Sequence, residues 1–161
     1  MLYAIGGVVK NIAPYADSEL HPHDRPFVSE IPRLKKLITA KNLVGLANNT
    51  KWNELFTYMR ESIQFEAKWL PCFRFNCIDS DYISVWDNEW YNHLPYPMLS
   101  VMWFEIEYKE ESAKNNFTEI VTIDHSARLE SLIKSIGFEY EKGATSLRIY
   151  GYSPIDRTGF E

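Results

Sequence analysis

Ser100-Val101-Met102-Trp103-Phe104-Glu105-Ile106-Glu107-Tyr108 is the stretch that decides the fold. Successive side chains of a strand point to opposite sides, so Met102, Phe104, Ile106 and Tyr108 share one face. Val101, Trp103, Glu105 and Glu107 share the other. The first row predicts a face turned inward. The second combines a large aromatic with two carboxylates, and is expected to look outward.

Upstream, Phe73, Phe75 and Cys77 alternate with Arg74, Asn76 and Ile78, which predicts another strand, and Tyr82 to Trp86 predicts a second. Asp87-Asn88-Glu89 supplies turn chemistry before Trp90-Tyr91-Asn92-His93, and Pro95 and Pro97 break the chain before Ser100. Downstream, residues 109–116 read as a polar loop and 117–123 as a strand. Asp124 or Ser126 caps a helix with Leu129, Leu132, Ile133 and Ile136 as its buried stripe, and Gly137 stands at its left-handed end. Residues 138–140 and 146–152 form a terminal hairpin around Lys142-Gly143, and the polar stretch after Pro154 is expected to be loose.

Two helices precede the strands. Ser29 is placed to cap one, with Pro32 in its first turn and Leu34, Leu37 and Ile38 along its apolar side; Asn42 ends it. Leu43 to Ala47 read as a short buried turn. Asn48-Asn49-Thr50 starts the second helix, where Trp52, Leu55, Phe56, Met59 and Ile63 recur at helical spacing. Adjacent strands without intervening helices predict an α+β fold: a single domain, mainly antiparallel sheet, with about three helices packed on one face. An N-terminal arm (1–32), a domain (33–153) and a tail (154–161) are the expected divisions.

A chain of 161 residues that is 45% apolar and 24% charged folds as one ordinary domain without disulfides or metals as staples. Two cysteines, Cys72 and Cys77, too far apart for a redox or zinc knuckle, imply free thiols and a reducing compartment. No basic leader precedes the apolar N-terminus, so the cytoplasm is the expected location, with no membrane partner. The net charge of −5 hides an asymmetry: residues 33–74 carry +5 and residues 75–111 carry −7. The acidic block also holds Tyr82, Trp86, Trp90, Tyr91, Tyr96, Trp103, Phe104 and Tyr108. Such a stretch repels nucleic-acid phosphates and attracts a basic protein.

Asn48-Asn49-Thr50-Lys51-Trp52, Trp86-Asp87-Asn88-Glu89-Trp90-Tyr91-Asn92-His93 and Leu147-Arg148-Ile149-Tyr150-Gly151-Tyr152 resemble the signatures of a small family of uncharacterised bacterial proteins. Those share an NNTKW helix start, a WDGEWFYHF-like turn and an IRVWGY-like strand. The resemblance covers roughly residues 33–153. This chain departs from it at Asn88, where the family has Gly, at Tyr150, where it has Trp, and in an extra N-terminal arm. The family brings no activity with it. By size, charge and aromatic content the chain is also similar to bacterial immunity proteins, which plug the basic active site of a toxin.

Several constellations could carry chemistry. Asp87 or Glu89 could orient His93 for acid–base work in a small hydrolase, although no motif fixes a nucleophile beside them. His21, His23 and Asp24 could contribute to a zinc site but lack a specified further ligand. Gly6-Gly7 belongs to no phosphate-binding motif, and no cofactor is implied. Trp86, Trp90 and Trp103 could flank a groove for a small ligand. The expected binding surface comprises Tyr82, Trp86, Asp87, Glu89, Trp103, Glu105 and Glu107, and its expected use is occlusion of a basic, nuclease-like toxin.

Overall fold

A computed structural model describes residues 4–5, 8–9, 25–61, 69–114 and 118–161. The expected His21–His23 metal ligands, the Gly6-Gly7 pair, Ile63 and most of the N-terminal arm lie outside the described residues. Two short strands, β1 (Ala4–Ile5) and β2 (Val8–Val9), pair with each other at the start of the chain.

The protein is an α+β domain built on a four-stranded antiparallel sheet. Its strands are β4 (Phe73–Cys77), β5 (Val101–Glu107), β8 (Tyr140–Lys142) and β9 (Ser146–Tyr150), in the spatial order β4-β5-β9-β8. Register obeys the expected alternation from Trp103 onward. The pairing shifts between Asn76 and Cys77, so Val101, expected on the outward face, joins the apolar core and Met102, expected inward, packs elsewhere. Phe75, Phe104, Ile149 and Tyr140 line up across the four strands, as do Phe73, Ile106 and Leu147 across three. Against this apolar face pack helix α2 (Asn49–Tyr58), through Trp52, Leu55 and Phe56, and helix α3 (Ser126–Ile136), through Leu129 and Ile133. The Trp52 and Phe56 rings stand 5.9 and 5.6 Å from Phe104, so the aromatic interior is centred on the deciding strand.

The local reasons are short-range. Asn48 caps α2 by accepting a hydrogen bond from the Lys51 amide at 2.9 Å. Gly137 ends α3 at φ +94°, the left-handed geometry expected of it. Asp124 Oδ1 accepts from the Ser126 amide at 2.8 Å as α3 begins. Helix α1 (Ile31–Ala40) starts one residue later than a Ser29 cap would set, with Glu30 at the cap position and no side-chain cap bond; Pro32 supplies the preset backbone. Asn42, at φ 53°, comes just after its end. The side of α1 carrying Leu34, Leu37 and Ile38 closes a second, smaller cluster with Ile78, Leu99 and Tyr152.

Four expectations need correction. Leu43 to Ala47 is not a buried turn: β3 (Val44–Gly45) pairs with β10 (Tyr152–Ser153), so the chain leaves β9 to tie down the segment after α1. Of the expected loop 109–116, the described part is a strand: β6 (Lys109–Lys114) pairs with β7 (Glu119–Asp124) in a separate, largely exposed two-stranded ribbon. There the backbone ladder, not an apolar face, makes the strands, and periodicity is silent. Residues 82–86 form no strand; isolated bridges at Ile83 and Asp87 hold this stretch along β4. Residues 154–161 pack on the second face of the sheet instead of hanging loose. Among the described residues no helix is long and apolar enough to cross a membrane.

Candidate functional site

Two places gather the chemistry-bearing residues: the second face of the sheet, and the segment 79–93 along its β4 edge.

On the second face Arg74, Glu105, Arg148 and Glu141 stand directly opposite one another on four successive strands, a row of alternating charge. Glu105 is 2% exposed and Arg148 fully buried. Arg148 donates to Glu105 at 2.9 and 3.3 Å, Arg74 donates at 3.0 Å, and the Ser146 hydroxyl also donates to it. Both arginines also reach the backbone of residues 156–159: Arg148 Nη1 meets the carbonyls of Asp156 and Thr158 at 3.1 and 2.8 Å, and Arg74 Nη2 that of Gly159 at 2.8 Å. Aromatic rings fill the gaps. The Arg148 guanidinium lies 3.5 Å from the centre of Trp103 and 4.9 Å from Phe160, and that of Arg74 lies 4.7 Å from Trp86. Trp103 is fully buried, with its indole N–H towards Asp156 but short of a full hydrogen bond.

Trp103 and Glu105 are therefore not an outward surface. Glu105 balances two arginines, and burying such a charge is tolerable only when it is paired and its lone pairs are filled. Glu107, next on the same face, is half-buried; burial, then the neighbouring Glu111, pushes its carboxyl above the ordinary range. The acidity of residues 75–111 is also less available than the sequence total suggests, because Arg33 pairs with Asp79 at 2.9 Å.

The edge segment is different. Ser84 donates its amide to the Phe75 carbonyl, and Asp87 exchanges both backbone bonds with Phe73, so Val85 and Trp86 together stand against the single Arg74. This extra residue makes a bulge that turns Val85 out to 70% exposure and leaves Trp86 39% exposed above its arginine. Tyr82 and Tyr91 are 67% and 48% exposed. Asn76, buried, holds the preceding bend by donating to the carbonyls of Ser80 and Tyr82.

Asp87, Glu89 and His93 come together in one turn. Asp87 Oδ1 accepts from the Glu89 amide at 2.8 Å, and its Oδ2 lies 2.6 Å from His93 Nδ1. Glu89 accepts from the amides of Tyr91 and Asn92 at 3.0 and 2.7 Å. Burial pushes the Asp87 carboxyl up, but the Glu89 amide and the His93 ring outweigh it and hold the group below its ordinary value. Glu89 is likewise held low against its burial, by the Asn92 and Tyr91 amides. Trp90 anchors the turn: it is fully buried and donates its indole N–H to the Pro71 carbonyl at 2.8 Å. Arg60 on the next turn after α2 donates to the Trp90 carbonyl at 2.7 Å and lies 5.1 Å from the Tyr91 ring.

Of the expected binding residues, the structure thus brings Tyr82, Trp86, Asp87 and Glu89 into one edge segment, leaves Glu107 at the margin, and buries Trp103 and Glu105. Of the three tryptophans expected to flank a groove, Trp90 and Trp103 are interior. Cys72 and Cys77 are both half-buried, and burial raises each thiol first, with Glu107 and Asp87 adding to the effect at Cys72. Neither is a ready nucleophile. Among the described residues no three His, Cys, Asp or Glu side chains converge to hold a metal ion.

Sequence reasoning missed Arg74, Arg148, Val85, Tyr91 and residues 154–161. A signal existed for Arg148: an arginine inside the apolar run Leu147–Tyr150 needs a buried acid opposite. Comparison with curated proteins and with solved structures returned no match. A family model matches residues 34–156, from the first turns of α1 to the start of the segment packed on the second face. The chain belongs to that family, a family of unknown function (DUF6678).

Proposed function

We propose that this is a non-catalytic protein-binding domain of the immunity type, which occludes a basic, nuclease-like toxin through its edge segment. The contact residues are Tyr82, Val85, Trp86 and Tyr91, with Asp81, Asp87 and Glu89 between them and Glu107 at the margin. One observation carries this reading: among the described residues the exposed aromatic rings, Tyr82, Trp86 and Tyr91, all fall in this segment, with an exposed valine, within ten positions of one another. Clustered exposed aromatics are the usual anchors of an interface, and neighbouring carboxylates speed encounter with a cationic partner. Trp103 and Glu105 contribute from beneath, by holding Arg74 under Trp86.

The test is binding of the purified chain to a basic nuclease-toxin domain encoded beside it, measured by calorimetry. Trp86→Ala and Tyr82→Ala should each weaken binding by about 2 kcal/mol or more. Asp81→Lys should slow association, and its effect should fade at high salt. Full-strength binding by both aromatic variants would overturn the proposal. Reversing Glu105 is no test, because its loss disrupts a buried charge network.

A second reading has a specific observation in its favour. The 2.6 Å contact between Asp87 and His93 Nδ1 leaves Nε2 on a ring that is 58% exposed, the arrangement of a general base oriented by a carboxylate. A hydrolase on this pair loses turnover of its substrate in His93→Gln, whereas an inhibitor keeps its affinity for the toxin in the same variant. A small-ligand module on the tryptophans has less support, since Trp86 is the one exposed ring of the three.

A further inference from the structure

Resting on the reading of the edge segment as a contact surface, we infer that residues 154–161 act as a strap that sets how Trp86 is presented, with Arg74 as the positioning residue between them. Arg74 stands where three parts of the molecule meet. Its Nη2 donates to the Gly159 carbonyl of the strap at 2.8 Å, its Nε donates to Glu105 at 3.0 Å, and its plane lies 4.7 Å from the Trp86 ring. A guanidinium can serve two acceptors with its edge and an aromatic with its face at once, which an ammonium cannot.

The strap is fixed on either side of that contact. Asp156 and Thr158 give their carbonyls to Arg148, Arg157 pairs with Glu141 at 2.9 Å, and the Glu161 carbonyl accepts from the Ala144 amide at 2.9 Å. Gly159 lies between these anchors and is the point where the strap reaches the edge segment. Its φ of +67° disfavours any side chain, and an added Cβ would lie 3.1 Å from Ile83 Cδ1, next to Tyr82. Moving the strap by a few tenths of an ångström therefore acts on the edge segment by two routes. It takes an acceptor from Arg74, whose plane then turns towards Glu105 and away from Trp86, and it pushes on Ile83. Whatever engages residues 154–161 thereby tunes the contact surface, while the helix-covered core is untouched.

The experiment uses the full chain carrying 5-fluorotryptophan, with fluorine resonances assigned by single Trp→Phe replacements, and amide exchange of residues 83–87. In Gly159→Ala and in Arg74→Lys the Trp86 resonance should shift towards that of a solvent-exposed ring. The Ser84 and Asp87 amides, which are hydrogen-bonded to the Phe75 and Phe73 carbonyls, should exchange about 10-fold faster, as expected for local loosening. Trp52 and Trp90, on the helix side, report that the fold is intact and should not move. An unchanged Trp86 resonance in a folded Gly159→Ala chain would overturn the inference. If Gly159→Ala does not fold, Arg74→Lys decides, and an unchanged Trp86 there overturns it equally. None of these readouts involves a partner. A responsive Trp86 combined with undiminished toxin binding by Trp86→Ala would remove the binding proposal and leave the strap standing.

Discussion

The two faces of the central sheet are closed in opposite ways. One is apolar and covered by α2 and α3; the other carries the row Arg74, Glu105, Arg148 and Glu141 and is covered by the eight residues 154–161. Hydrophobic burial is non-directional, so the first face needs the right volume and pattern. The second needs every donor aimed at an acceptor, because a charge left unpaired there is far costlier than a misplaced methyl group. A short segment of backbone suffices as its cover because carbonyl oxygens, not side chains, complete the coordination of the arginines.

That contrast can be broken experimentally. Glu105→Leu leaves Arg148 buried without its carboxylate and should cost about 3–5 kcal/mol in urea unfolding. Phe104→Ala on the other face should cost about as much, 3–5 kcal/mol, through its cavity. The faces part company on rescue. Adding Arg148→Met to Glu105→Leu should recover most of the loss, and failure to recover it would show that the charged row has no separable ionic cost. Phe160→Ala, which removes the ring over Arg148, should cost about 1–2 kcal/mol, with the change in amide exchange confined to residues 144–161.

A smaller effect separates the edge turn from both faces. The Asp87 carboxyl is held below its ordinary value in the folded chain, so its contribution to stability is complete above the unfolded value and disappears as pH falls through the depressed one. The stability difference between the wild type and Asp87→Asn should therefore shrink on acidification through the carboxylate range. A difference that stays constant down to acid would mean that the carboxylate charge contributes nothing to the turn. Smallest of all, Ile120→Ser on the exposed β6–β7 ribbon should change stability by no more than about 0.5 kcal/mol.

Legibility in the amino-acid order divides along the same line. The apolar face was legible because its period of two in 103–108 and its helical period in 49–59 are local patterns, and the Asn48 and Gly137 signals are local as well. The register shift that turns Val101 inward is not local and was not readable. The charged face was not. Trp103 and Glu105 look solvated until register places Arg74 and Arg148 beside them, and those partners lie 31 and 43 positions away from Glu105. The edge turn fell between the two cases. The proximity of Asp87 and His93 was readable from a separation of six residues, but the inward use of Glu89 on two amides was not, since any exposed turn carries such an acid. Nor does any local pattern predict that a polar stretch such as 154–161 will be captured by arginines on distant strands.

The doubled position opposite Arg74 has one last effect, on how neighbours approach. An outermost strand ordinarily offers a free rail of amides and carbonyls on which a foreign chain can crystallise into fibrils. Here that rail is irregular, because Val85 and Trp86 crowd where a ladder has room for one, and an incoming strand would fall out of step within two rungs. Company at this border must therefore be kept through side chains, which are selective, and not through main chain, which is not.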